Sequence, residues 1–141
     1  MSFLLDTNVL SEVQKGEQCE EVVKLWWDAT DLKEIYLSVM VPGEIQRGIE
    51  KLSRKNPPRA RLFESWLHSV MDEFQGRILK VDLETARIWG KMTSKRTLPL
   101  VDTLLAATAM AHDLILVTRN LKDIRATGVR YLNPFEPSDI P

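Results

Sequence analysis

Short, mainly apolar runs alternate along this chain with longer stretches of helical spacing, and that alternation restricts the fold more than any other feature. The runs are Phe3 to Asp6, Ile35 to Ser38, Ile78 to Val81 and Leu114 to Val117. Each has the length of a strand, and none shows the in-and-out alternation of a half-exposed one, so they read as strands buried on both faces. Between them lie Asn8 to Lys15, Glu20 to Thr30, a segment opening at Pro42, a long one centred on Trp66, Leu83 to Lys95 and Leu100 to His112. Strands separated by helices imply an α/β fold with a central parallel sheet and crossover helices on its faces. A short last strand near Val129 to Leu132 brings the sheet to four to five strands.

Local signals sharpen this outline. Pro42 suits the first turn of a helix, because its missing N–H has no partner there, and Ile45, Ile49 and Leu52 continue one stripe. Pro57-Pro58 reads as a break between two helices. Leu62, Phe63, Trp66, Leu67, Val70, Met71 and Phe74 form one amphipathic helix, with Gly76 suited to its end. Ala86, Trp89 and Met92 are expected inward on the next helix. Ala106, Ala107, Ala109 and Ala111 permit close approach of the following one to the sheet. Trp26 and Trp27 point about 100° apart on a helix, so they cannot both face one core, and one of them is expected to meet a partner.

Composition sets the class. The chain has 141 residues, 19 Lys plus Arg against 20 Asp plus Glu, and a single Cys, so residues 1–141 are read as one domain with a core large enough to need no disulfides. Cys19, His68 and His112 are widely separated, which argues against a zinc site or a thiol enzyme. No apolar run reaches the roughly 18–20 residues of a membrane span, and the start lacks the basic and apolar regions of a signal peptide, so the expected location is the cytoplasm. Charge is uneven: Arg47, Lys51, Arg54, Lys55, Arg59 and Arg61 face only Glu50 within that stretch. It is either a solvated helix end or a surface for phosphates.

In right-handed parallel βαβ units each helix begins at the edge where the strands end, and ligands bind there. Asp6 closes the first strand. Glu44 lies six residues after the second, in the expected first turn of its helix. Asp102 lies in the first turn of the helix before the fourth strand, and Asp123 follows that strand by six residues. Singly, each acid is an ordinary helix-terminal residue. Together on one rim they repel unless a cation lies between them, and an all-oxygen set without His or Cys favours Mg²⁺ or Mn²⁺.

Three segments carry a resemblance. Leu4-Leu5-Asp6-Thr7-Asn8-Val9-Leu10-Ser11-Glu12 resembles the opening of PIN-domain ribonucleases of the VapC/FitB type, toxins of bacterial toxin–antitoxin pairs. The segment from Leu100 through Asp102 to Ala109 is similar to their third motif, and Val117-Thr118-Arg119-Asn120-Leu121-Lys122-Asp123 to their fourth. The resemblance implies a three-layer α/β/α fold, Mg²⁺-dependent cleavage of RNA, a homodimer, and inhibition by a cognate antitoxin. By motif match, Asp6, Glu44 and Asp102 would hold metal, Thr7 and Thr118 would support them through hydroxyl hydrogen bonds, and Asn8 would orient Asp6. The fourth acid falls at Asn120 in some members and at Asp123 in others. Here Asp123 is the expected outer ligand or water-orienting group, with Asn120 its neutral partner. Arg119 would meet a phosphate or an acidic group of the inhibitor, and Arg47, Lys51 and Arg96 would contact RNA or antitoxin. Gly43, before Glu44, replaces a commoner Ala or Met. Glu12 is expected to line the mouth of the site rather than bind metal.

Other readings fit less well. A phosphotransfer receiver needs adjacent acids after the first strand, where this chain has Thr7-Asn8. A haloacid-dehalogenase phosphatase needs a second Asp at the position of Asn8. A non-catalytic PIN-like binding module would have no need of all four acids.

Overall fold

The structure is a computed structural model that describes residues 1–136; residues 137–141, part of the expected domain, lie outside the described residues. The order is β1 (Phe3–Leu5), α1 (Thr7–Val13), α2 (Glu21–Ala29), β2 (Ile35–Ser38), α3 (Met40–Ser53), α4 (Pro57–Glu73), β3 (Ile78–Leu79), α5 (Leu83–Met92), α6 (Leu100–Ala111), β4 (Ile115–Val117), α7 (Leu121–Ile124) and β5 (Tyr131–Leu132). The five strands form one sheet, ordered β3-β2-β1-β4-β5, and every pairing is parallel. Leu4, Leu5, Leu37, Leu116 and Val117 are fully buried, as continuous apolar strands require.

The strand order explains where a ligand can sit. From β1 the chain steps outward to β2 and β3, then crosses back to β4 and β5 on the other side of β1. With right-handed crossovers, α1 to α4 cover one face and α5 to α7 the other, consistent with α1 touching α3 and α6 touching both α7 and β1. The direction reverses between β1 and β4, so their C-terminal ends open a crevice. Leu5 pairs with Val117, and the Asp6 amide donates to the Val117 carbonyl at 2.9 Å. Asp6 and Thr118, the next residues on each strand, therefore stand side by side.

Several local expectations are corrected. The Ser38 hydroxyl accepts from the Met40 amide at 3.0 Å, so α3 begins two residues before Pro42 and Glu44 lies in the second turn, not the first. Ala86 is exposed; the Asp82 carboxylate accepts from the Thr85 amide at 2.9 Å, which sets the phase of α5 so that Thr85 turns inward with Trp89 and Met92 partly buried. Strand β3 has two residues rather than four. Trp26 is buried and meets Phe3 edge-on at 5.5 Å, whereas Trp27 is partly buried at the core's margin. No helix among the described residues is long and apolar enough to cross a membrane.

Glu12 is 7% exposed and ties α1 to α2. Its carboxylate accepts from the Glu20 amide at 2.9 Å and from Lys15 Nζ at 3.0 Å, and these bonds, the amide first, hold it below the usual glutamate range. Glu12→Ala leaves a helix-start amide without its acceptor and is expected to lower the unfolding free energy by about 1–3 kcal/mol in urea titrations near neutral pH. An unchanged midpoint would show that water replaces the carboxylate freely.

Candidate active site

The crevice between β1 and β4 holds a continuous chain of polar groups. Asp6, 6% exposed, caps α1 and accepts from the Thr7 amide at 2.7 Å. The Thr7 hydroxyl donates to Glu44 Oε1 at 2.7 Å, which joins α1 to α3. On the other side the fully buried Thr118 hydroxyl donates to Asp6 Oδ2 at 2.7 Å and accepts from the Asn120 amide at 3.1 Å. Asn120 Nδ2 then donates to Asp102 Oδ2 at 2.8 Å. Glu44, Thr7, Asp6, Thr118, Asn120 and Asp102, from four separate stretches of sequence, thus form one hydrogen-bonded series. Asn8 makes a longer bond to Asp6 Oδ2, 3.4 Å, and accepts from the Arg119 amide at 3.3 Å. Asn8 therefore spans Asp6 and the segment after β4.

Two residues not singled out for the site from sequence position Asp102. The Thr103 hydroxyl donates to the Pro99 and Leu100 carbonyls, at 2.8 and 3.0 Å, and accepts from Trp89 Nε1 at 3.0 Å. The start of α6 is thereby pinned to α5. A Thr directly after a candidate ligand at a helix start is a signal that sequence offers; its indole partner is not.

The electrostatics are those of buried, mutually repelling acids. Burial pushes the Asp6 carboxyl up to about 6; the Thr118 hydroxyl and Thr7 amide pull it down, while Glu44 and Asp102 raise it further. Asp102 is raised too, by burial first and then by Asp123 and Glu44. Asp123, in α7, therefore lies within electrostatic reach of the group. Among the described residues none of these four acids joins an ion pair; the pairs are Lys15–Glu12, Lys24–Asp28, His68–Glu64 and Arg130–Asp113.

A hard divalent cation fits these residues by charge and donor type. Among the described residues no three of His, Cys, Asp and Glu are grouped to hold a metal by themselves. The fit is to an ion that keeps water in its shell, which is how Mg²⁺ is usually bound. Such a set can orient a phosphodiester and activate water.

The expected contact residues are all exposed. Arg119 is exposed, with its guanidinium 4.4 Å from the centre of the Phe135 ring, a partner not anticipated from sequence. Arg47 and Lys51 are exposed on α3, three and seven residues beyond Glu44 and so on its side of the helix. Arg96 is exposed in the segment joining α5 to α6. His68 sits on the surface 3.7 Å from Glu64 and takes no part.

The PIN-domain profile matches residues 3–128. The chain belongs to the PIN-domain family. A VapC ribonuclease of Sinorhizobium fredii, Y4jK, is 32% identical over 142 residues, covering 96% of this chain and 99% of the relative. Toxin FitB of Neisseria gonorrhoeae is 34% identical over 141 residues, covering 94% and 98%. The crystal structure of FitAcB from the same organism superposes with a TM-score of 0.85 at 32% identity, covering 95% of this chain and 99% of that one. The expected fold, a helix-flanked parallel sheet, is therefore that of the PIN domains of the VapC and FitB toxin–antitoxin group.

Proposed function

We propose that this PIN domain is a Mg²⁺-dependent endoribonuclease, with Mn²⁺ as a substitute, acting in the cytoplasm as a toxin that a cognate antitoxin neutralises. The observation that carries the reading is the group of Asp6, Glu44 and Asp102, linked by hydrogen bonds in the crevice and, among the described residues, in no ion pair. The ribonuclease and toxin names of its relatives, and the FitAcB complex, support it. In this reading Asp6, Glu44 and Asp102 hold the metal, and Thr7, Asn8, Thr118 and Asn120 fix the orientation of their oxygens.

When bound, the cation polarises the scissile phosphate and lowers the pKa of water. The chain's own groups do the rest. The Asp123 carboxylate orients the attacking water; as its oxygen bonds to phosphorus and the bond to the leaving oxygen breaks, the water gives up a proton to solvent and the leaving oxygen takes one from solvent. Arg119, backed by the Phe135 ring, offers its guanidinium to a neighbouring phosphate. Arg47, Lys51 and Arg96 extend the basic flank along the RNA or meet the antitoxin.

Purified chain, free of antitoxin and assembled as the proposed homodimer, should cut RNA in Mg²⁺ and not in EDTA, and Asp102→Asn should be inert. Cleavage that survives chelation would remove the metal from the mechanism. Asp123→Asn is expected to lower the rate about 10- to 100-fold, the usual cost of losing a group that orients a metal site from outside. A rate equal to wild type would move the fourth role to Asn120.

A further inference from the structure

The crevice does not end at Glu44. A pocket of about 250 Å³ with a mainly apolar lining begins at Thr7 and Glu44, the pair joined by the 2.7 Å hydrogen bond, and includes Gly48 of α3 with Phe63 and Trp66 of α4. The two aromatic rings are only partly buried and meet edge-on, 6.0 Å between centres at 75°. Gly48 lies one helical turn beyond Glu44, and a Cβ placed there meets nothing within 4 Å. By spacing alone Phe63 and Trp66 read as core residues of a helix face.

We propose that this pocket receives the nucleobase beside the scissile phosphate, stacked on Trp66 and Phe63, so that the substrate strand enters it unpaired. The inference rests on the nuclease reading and adds a subsite to it. Two observations favour a nucleic acid over an apolar protein segment. The pocket shares Thr7 and Glu44 with the acidic crevice, so a strand with a phosphate at the acids must place a neighbouring nucleoside close by. Its flanks are basic: Arg47 and Lys51 lie beside Gly48 on α3, and the Arg59 guanidinium sits 5.7 Å from the Phe63 ring centre. Between Arg47 and Arg61 six cationic side chains face a single Glu50. An apolar-lined pocket in a basic surround suits a base on a polyanionic backbone, where stacking supplies contact without reading sequence strictly.

Gly48→Leu tests this without disturbing the fold, since the position is helical, open, and better suited to leucine than to glycine in propensity; an unlowered melting temperature verifies it. The probe is a short single-stranded oligoribonucleotide carrying photoreactive 5-iodouracil, bound in EDTA so that cleavage is off. Wild type should cross-link at Phe63 or Trp66, and Gly48→Leu should weaken binding about tenfold, in line with the loss of one stacked base. In Mg²⁺, Trp66→Leu should relax the base preference at one position flanking the cut. Equal affinity of Gly48→Leu and wild type, with cross-links elsewhere, would overturn the subsite and leave the pocket to apolar side chains of a protein. Cross-links at Trp66 without cleavage in Mg²⁺ would keep the subsite and remove the nuclease reading. No binding in EDTA by either form, with cleavage in Mg²⁺, would overturn the subsite and keep the nuclease reading; neither binding nor cleavage would overturn both.

Discussion

Asp6→Asn is expected to abolish RNA cleavage while leaving the metal-free protein at least as stable as wild type. The two effects have one cause. Asp6 sits at the reversal point of the sheet, 6% exposed, and its folded pKa of about 6 against an ordinary 3.8 means that keeping it ionised near neutral pH costs the fold about 3 kcal/mol. Asparagine has nearly the same shape and no charge, so that cost disappears. Part of the gain is lost, because the amide can accept from only one side while the Thr7 amide, the Thr118 hydroxyl and Asn8 all donate to Asp6 now; an unmatched donor costs about 1–3 kcal/mol. The carboxylate is nonetheless what a cation would require, and losing several kcal/mol of metal-derived stabilisation slows the reaction by about 10³-fold or more. The check is a cleavage assay in Mg²⁺ beside urea unfolding in EDTA. A variant that still cuts would place the chemistry elsewhere, and one that is inert because it unfolds would make Asp6 a structural residue.

That trade of stability for charge was legible in the sequence only in outline. Parallel topology and one rim of acids follow from apolar runs and helix starts, and β2 occupies the segment expected for it. The strand order does not follow, because no periodicity says which strand pairs with which. It is the order that sets β1 beside β4 and makes Asp6 and Thr118 neighbours. Pro42, a strong start signal, puts Glu44 a turn too early, whereas α3 opens two residues sooner at Met40, whose amide donates to the Ser38 hydroxyl. The bond from Asn120 to Asp102 and the pinning of Thr103 by Trp89 depend on side-chain directions across helices, which spacing along one element cannot encode. Phe63 and Trp66 show the same limit: a stripe at helical spacing reads as core, and only the open space at Gly48 turns its edge into a pocket.

Metal-free protein should lose stability as the pH rises from about 4 to about 7, and Mg²⁺ should restore it. Because Asp6 has a higher pKa folded than unfolded, the native state binds more protons than the unfolded state between the two values, so its contribution is full below about pH 4 and is lost as pH climbs through about 6. Asp102 is shifted in the same direction and deepens the loss. Glu12 works oppositely but elsewhere: its pKa is lowered from 4.5, so the stability it adds is present at neutral pH and disappears only as acid takes the pH below that range. Above about pH 5, therefore, the carboxylates of the crevice govern the slope, and of the roughly 3 kcal/mol that Asp6 loses across both values about 1.3 kcal/mol falls there. A cation that binds only the folded state stabilises by RT ln(1 + [L]/Kd), about 2.7 kcal/mol at a hundred times Kd, and needs ionised ligands. Its benefit should be largest near pH 7 and small near pH 5. Urea unfolding across that range, with EDTA or with Mg²⁺, measures both slopes, and Asp6→Asn should flatten them together. A metal-free profile that is level from pH 5 to pH 7 would mean that Asp6 ionises in the crevice without penalty, and the acids would then have no unmet charge for a cation to answer.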